Sequence, residues 1–583
     1  MNYIEKLNNH KEYLRNLILG DFNNPSNIKL FDLECGLGKT KTAVEVVTEL
    51  YKINPNKKIL FVTRFDDTVE SVKNNSDFYN LIHSKINIMA KSNIAVAINK
   101  TTKYDYIPKY LEKFNVVVIT HEKYKQISKY PKQVELFQKY MDILIVDEEI
   151  NMVEAIKYSK KRMDWFSTVL PRWMRGRYEK VIRDIDLALS EQKEMLFLTF
   201  DINKNKEIRI LKGQIKNFIN DAYSRTQVKK DEKTGKDVSM VKRDFIEEVN
   251  EIYQIYNNQC IIMKNKICTY DKRIKYWLLK KNILLDANGG FNYIYRISDL
   301  FDTSTPQSKI INHSNCNLYV YNCNTTKYAK SKYKDFYEHV QEEVESIIKE
   351  NDKVLVIGNK LDEKNLRFDN KNIAMNHFGN LNGKNAWKDF NKIFIIQTPN
   401  IPAEVYILKY MYYSQKIMNN KYTLYQHPEN GVMKFKNEEF DKIRVSYISA
   451  ELYQAIKRIQ RKVNDDGLAV KADYYIINND EGVVNLLIKQ LKGINVYNLD
   501  FDVQRQERKE YDNSNRFKDS YADKFIKLLD SLDKGGYKKN WLREQIEYES
   551  KAQFSNKILN HPEVKKYMIY KNIINRGQRI IIV

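Results

Sequence analysis

The chain has 583 residues, 43% hydrophobic and 30% charged, a mix that excludes wholesale disorder, and at about 150 residues per domain its length excludes a single core. Lys and Arg outnumber Asp and Glu by 98 to 75, and the net charge of +23 is spread along the whole length; a lysine-rich solvated surface has this balance, and so does a protein that follows a polyanion such as nucleic acid. No run of about 18 apolar residues is present, which excludes a membrane-spanning helix.

The N-terminal stretch MNYIEKLNNHKEYLRNLILG is charged throughout and lacks the apolar core of a signal peptide. Five cysteines, Cys35, Cys260, Cys268, Cys316 and Cys323, are an odd number in a long chain. They fit a reducing interior better than a disulfide scaffold, so a cytoplasmic location without membrane contact is expected. Their wide spacing, without a C-x-x-C pair, reads as free buried thiols and not as a metal site.

Residues 28 to 34, IKLFDLE, contain a short apolar run suited to a buried strand, and TKTAVEVVTELY beyond them has apolar residues at helical spacing. Gly36, Leu37, Gly38, Lys39, Thr40 and Lys41 therefore form a strand-to-helix turn. There, backbone N–H groups and the helix N-terminus face outward and suit phosphate oxygens, with Gly36 and Gly38 allowing close approach. Lys39 is expected to reach the β and γ phosphates of ATP, and the Thr40 hydroxyl to sit on Mg²⁺. KILFVTRFDDT (58 to 68) and NVVVITHEKY (115 to 124) read as further strands, ending in Thr63-Arg64 and Thr120-His121. In MDILIVDEEINMVEA (141 to 155), the continuous run ILIV marks a parallel strand buried on both faces. It delivers Asp147 and Glu148 at its C-terminal end, where ligands bind in doubly wound sheets. One carboxylate suits Mg²⁺ and the next the water that attacks the γ-phosphate.

Residues 156 to 281 read as mostly helical, with basic and aromatic residues interleaved as in RMDWFSTVLPRWMRGRYEK. Trp165, Trp173 and the neighbouring arginines suit a clamp over a single strand, and equally a helical packing accessory. NILLDANGG (282 to 290) is another strand, followed by Asp286-Ala287, and KVLVIGNK (353 to 360) opens a second set. HFGNLNGKNAWKDFNKIFIIQTPNIPAEVY (377 to 406) has a Gly/Asn-rich turn, with Gly379, Asn380, Gly383 and Asn385, before the strand KIFIIQ. In LYQAIKRIQR (452 to 461), Gln454, Arg458 and Arg461 fall at i, i+4 and i+7, one face of a helix. Beyond residue 500, the charged stretch FDVQRQERKEYDNSNRFKD reads as a linker or exposed helix. Short amphipathic helices and a basic hairpin near Asn575-Arg576-Gly577 follow, the pattern of a winged-helix module.

Taken in order, these motifs resemble the superfamily 2 helicases of the DEAD/DEAH-like kind. The short loop x-x-Gly-x-Gly-Lys-Thr is similar to their motif I, with Leu33 where the full P-loop has glycine. Asp147-Glu148 is similar to motif II, Thr63-Arg64 to Ia, Thr120-His121 to Ib, Asp286-Ala287 to III without its hydroxyl, residues 353 to 360 to IV, Gly379-Asn380 to V, and Gln454, Arg458 and Arg461 to VI. The Pro-Asn-x-Pro continuation and the long insertion resemble the Rad3-like branch, without its iron–sulfur cysteines. The resemblance implies an α/β fold of two RecA-like parallel-sheet lobes: residues 1–155 with 282–315, and residues 316–500. A helical insertion (156–281) and a C-terminal accessory (501–583) complete it. It implies an ATP hydrolase with Glu148, Gln454, Arg458 and Arg461 at the reaction, Thr40 and Asp147 on Mg²⁺, and Asp286-Ala287 coupling ATP to the track. Thr63, Arg64, Thr120, His121, Gly379 and Asn380 would contact nucleic acid. The expected function is an ATP-dependent helicase on DNA, single-stranded above all, in replication or repair beside other proteins of those processes. A duplex translocase without unwinding and an ATP-dependent switch in replication initiation stay open.

Overall fold

A computed structural model describes residues 2–20, 25–64, 82–98, 102, 104–191, 196–224, 238–304, 309–381, 386–419, 424–427, 431–504, 520–550 and 553–582. Gly383, Asn385 and most of the charged stretch after residue 504 lie outside them. The chain forms two compact units, Met1–Ser331 with Asp335–Val503, and Lys332–Lys334 with Gln504–Val583.

In the first unit, a seven-stranded sheet runs in the order Phe301–Asp302, Ile28–Phe31, Lys281–Leu285, Ile143–Asp147, Ile59–Thr63, Val116–Thr120, Ala95–Ala97. Every pairing is parallel. The inner strands are apolar along nearly their whole length because helices cover both faces. Parallel strands end on one edge, so Phe31, Thr63, Thr120, Asp147 and Leu285 are brought to the same side of the sheet. A second parallel sheet runs Ile373–His377, Val354–Gly358, Lys392–Ile395, Asp473–Ile477, Asn317–Tyr321, Asn495–Leu499. One apolar core, with Ile145 and Leu285 from the first sheet, Val47 from the helix Lys39–Ile53, and Leu318, Ile395 and Ile476 from the second sheet, joins the two. These are two RecA-like lobes.

Between Asp147 and Lys281 the chain makes the long helices Arg172–Ser190, Asn205–Ser224 and Val238–Asn257. It also makes an antiparallel sheet that the helical reading did not contain, in the order Ala155–Ser159, Lys266–Tyr270, Cys260–Met263, Leu196–Leu198. The hairpin inside it turns through Lys264 and Asn265 at φ +51° and +56°, the paired left-handed residues that match strand twist. The insertion has its own core, with Tyr158, Phe166, Tyr178 and Val249 fully buried, while Trp165 and Trp173 are exposed.

The insertion is fastened to the helix Ala403–Ser414 of the second lobe and the residues after it. Lys157 Nζ lies 2.6 Å from Glu404 Oε1, the Met418 N–H donates to Gln259 Oε1 at 2.7 Å, and Tyr270 meets Tyr412 edge-on. From the same helix, Lys409 reaches Glu149 Oε1 at 3.2 Å, one residue beyond Glu148.

The second unit runs helix Tyr521–Ser531, strand Gly535–Lys538, helix Lys539–Gln545, a π-helical turn Phe554–Leu559, helix Pro562–Tyr570 and the hairpin Ile574–Arg576 with Arg579–Ile582. The last strand lies between the other two, antiparallel to both. Gly577 takes the left-handed turn of the hairpin at φ +56°. Phe525, Leu529, Leu542, Phe554, Val564 and Ile580 fill the core.

Candidate functional site

The turn after Ile28–Phe31 is built by its glycines. Gly36 and Gly38 have φ of +87° and +86°, a region closed to most side chains, and a Cβ on Gly36 would stand 3.4 Å from the Cβ of Arg461. Gly38 caps the helix Lys39–Ile53, so its free N–H groups begin at the loop. Lys39 Nζ donates to the Leu33 carbonyl at 2.5 Å, and Thr40 Oγ1 donates to the Asp147 carboxylate, 2.9 and 3.0 Å from its two oxygens. Leu37 is buried within the turn, and the exposed Lys41 lies 3.8 Å from Glu45.

These residues line one cavity of about 290 Å³ together with residues from far along the chain. From the first lobe come Cys35, Gly36, Gly38, Lys39, Thr40, Lys41, Asp147, Glu148 and Ala287; Gln454, Lys457, Arg458 and Arg461 close it from the second. Burial, reinforced by the charge of Glu148, pushes the Asp147 carboxyl up to about 7, against the hydrogen bond from Thr40. Glu148 has a left-handed backbone, φ +71°, held by its N–H on the Leu285 carbonyl at 2.9 Å. Its carboxylate faces Arg64, whose Nη1 is 3.4 Å away.

The arginines reach the cavity differently from the helical spacing. The helix Glu438–Ile456 ends before them, and Arg458 N–H bonds back to Ala455 O, an i→i−3 tightening of the last turn. Ile456 and Ile459, three residues apart, are both fully buried at this exit from the helix. Arg461 Nε then donates to Lys457 O at 2.7 Å. Gln454 Oε1 accepts from the Cys35 thiol at 3.7 Å.

Asp286 and Ala287 follow the strand Lys281–Leu285, whose Leu285 pairs with Asp147. Ala287 borders the cavity, while Asp286 is buried behind it, accepting from Tyr295 Oη at 2.5 Å and Asn288 N–H at 3.0 Å. Burial raises its carboxyl to about 7. Thr63 and Thr120 end their strands, and Thr120 caps the helix His121–Ser128 through Lys123 N–H. His121, expected at the nucleic-acid surface, is buried with Nε2 2.9 Å from Asp147 O, and desolvation lowers its imidazole to about 4. Gly379, at φ +92°, lines a separate groove of about 490 Å³ at the strand ends of the second lobe, with Asn359, Lys360 and His377. Asn380 Nδ2 donates to Asn376 Oδ1 beside it at 2.9 Å.

Two cavity residues carried no sequence signal. Cys35 is masked by the loop glycines, and Lys457 lies between Gln454 and Arg458 with its Nζ buried 2.6 Å from His313 Nε2. Among the described residues no group of three His, Cys, Asp or Glu stands ready for a metal, and Cys35, Cys260, Cys268, Cys316 and Cys323 form no disulfide. Nor is any described helix long and apolar enough to cross a membrane.

Residues 4–163 match a family model. It is ResIII, "Type III restriction enzyme, res subunit", and the matched stretch holds the glycine loop, both strand ends at Thr63 and Thr120, and Asp147-Glu148. The resemblance to superfamily 2 helicases stands. Comparison with curated proteins gives no match. Among solved structures, the chain is similar to an XPD helicase, at 13% identity and a TM-score of 0.46 over 85% of this chain and 99% of that one. It is also similar to S. cerevisiae Dbp5 bound to RNA and ADP BeF3, at 10% and 0.35 over 84% and 89%, and to the DUF1998 helicase MrfA bound to DNA, at 8% and 0.33 over 98% and 60%.

Proposed function

We propose that the protein is an ATP-dependent nucleic-acid helicase, with DNA, single-stranded above all, as its track. The carrying observation is the cavity that gathers the glycine loop, Asp147 and Glu148 from one lobe and Gln454, Arg458 and Arg461 from the other. The loop N–H groups and Lys39 bind the β and γ phosphates of ATP. The donor set of Thr40 hydroxyl and Asp147 carboxylate is all oxygen and already convergent, which fits Mg²⁺, whose charge offsets that of the phosphates. Glu148 takes the proton of the attacking water as its oxygen bonds to the γ-phosphorus and the β–γ bridge breaks, leaving ADP and phosphate. Arg458 and Arg461 cross the cleft to stabilise the charge on the γ-phosphoryl oxygens, and Gln454 orients the group between them.

Asp286 and Ala287, between the cavity and the sheet interior, transmit this chemistry to the strand ends that carry Thr63, Thr120, Gly379 and Asn380 along the track. Replication or repair in the cytoplasm is the setting. The helices and closing hairpin of the second unit, taken as a winged helix, favour one further reading, an ATP-dependent switch in replication initiation that uses this unit to find a site.

Steady-state ATP hydrolysis without nucleic acid and with single-stranded DNA, duplex DNA or RNA tests the reading, with Lys39→Ala as the blank. Strong stimulation by single-stranded DNA together with strand displacement is expected, and Lys39→Ala should lower turnover by about 10³ or more. Turnover that survives Lys39→Ala refutes the site; stimulation by duplex alone makes the protein a translocase.

A further inference from the structure

Arg64 follows the strand Ile59–Thr63, at a position expected to meet the nucleic-acid backbone. Its guanidinium instead turns along the sheet edge to Glu148, with Nη1 3.4 Å from Oε2. The same positive charge acts on Glu451, one turn before Gln454 on the facing helix, and on the buried His121. Arg64 thus stands where the strand edge, the hydrolytic carboxylate and the opposite lobe converge. The pair is open to solvent, with side chains 42% and 37% exposed, so an incoming anion can reach the guanidinium without any rearrangement of the lobes.

The two ends of this pair differ in freedom. The Glu148 backbone is pinned in its left-handed conformation by the bond to Leu285 O, a geometry that persists only where its surroundings hold it. The contact with Arg64 is a single long one between part-exposed groups, the weakest class of ion pair. A phosphodiester offers the same guanidinium two parallel charge-assisted bonds. The exchange of Glu148 for phosphate is therefore downhill for Arg64, and it frees a carboxylate whose main chain is already fixed in place.

We propose that Arg64 is a positioning residue that withholds Glu148 from water until a nucleic-acid phosphate takes the guanidinium, so that ATP hydrolysis is gated by the track. This rests on the ATPase reading above. A carboxylate oxygen engaged by a guanidinium is not free to accept the proton of the attacking water. Once released, Glu148 accepts that proton as before, and Arg64 stays charged throughout.

Arg64→Gln separates gating from a merely structural role. Without nucleic acid its ATP hydrolysis should rise about two- to fivefold, the range expected from an exposed ion pair, and oligo(dT) should no longer stimulate it. Arg64→Lys, which keeps the charge but cannot bind phosphate bidentately, should show a basal rate between those of wild type and Arg64→Gln and recover part of the stimulation. Melting curves of both variants report their folding, and Arg64→Lys carries the test if Arg64→Gln is unstable. An unchanged or lower basal rate in Arg64→Gln, or full stimulation retained by it, overturns the proposal, as does an Arg64→Lys protein with no stimulation and a lowered basal rate. These outcomes are distinct from failure of the ATPase reading, which would show as wild-type protein no more active than Lys39→Ala.

Discussion

Replacing Asp286 by Asn should make the strand Lys281–Leu285 harder to open, and only at the higher pH. Asp286 is fully enclosed, and its carboxyl is raised from the ordinary 3.8 to about 7, chiefly by burial, with Glu149 adding to the rise and Tyr295, Asn288 N–H and Lys39 opposing it. Below about pH 4 the folded and unfolded chains both hold the proton, and the site costs nothing. Between about 4 and 7 the unfolded chain releases the proton while the folded chain keeps it, so stability is lost as pH rises, and above about 7 the loss is complete. The gap from 3.8 to about 7 amounts to about 4 kcal/mol at 1.36 kcal/mol per pH unit. Asn keeps an acceptor for Asn288 N–H and offers a donor to Tyr295 Oη, so the variant retains both contacts and sheds the titration. Native-state hydrogen exchange of the amides in Lys281–Leu285, followed from about pH 4 to about pH 8, measures the opening free energy directly. The variant and wild type should match at the acid end and diverge by up to about 4 kcal/mol at the alkaline end. A difference that does not change with pH would refute the reasoning.

Other predictions concern the opposite lobe. Arg458→Ala and Arg461→Ala, compared in single turnover, should show at least one loss of about 10³ in the chemical step with nucleotide affinity little changed; equal and small losses in both would remove them from the reaction. Lys330 Nζ is buried against both oxygens of Asp362, at 2.8 and 2.7 Å, beneath the strand Val354–Gly358. Lys330→Met leaves that carboxylate unpaired and should cost about 3–5 kcal/mol in urea unfolding, with much of it recovered when Asp362→Leu is added.

The parallel strands were legible because each is buried on both faces, so ILIV, ILFV and VVVI read as continuous apolar runs with the chemistry at their ends. The glycine loop was legible for the same local reason, since positive φ at Gly36 and Gly38 is written in residue type. The four strands of the insertion were not. AIKYS, LFL, CIIM and KICTY are short, lie among long helical stretches, and pair with partners as distant as Ala155 and Tyr270. Spacing also failed at Arg458 and Arg461, which lie beyond the end of the helix Glu438–Ile456. Lys457 meets His313 across 144 residues, and Arg64 and His121 turn towards Asp147 and Glu148 instead of outward; such meetings are set by the sheet edge and leave no trace in local sequence.

The helix Ala403–Ser414 has nine buried residues, Glu404 and Lys409 among them, the mark of a helix enclosed on every side. Its enclosure is shared among the lobes and the insertion sheet, which makes the insertion unlike a detachable cassette. Excising residues 156–281 would strip the cover from Tyr412, leave Glu404 without Lys157, and turn a core helix into a sticky surface next to the Glu149 contact. For anyone trimming this protein to its two lobes, the practical boundary therefore lies outside the insertion: its removal calls for a resurfaced helix, and the loop that replaces it has to span the gap without the brace that Lys157 and Gln259 supply.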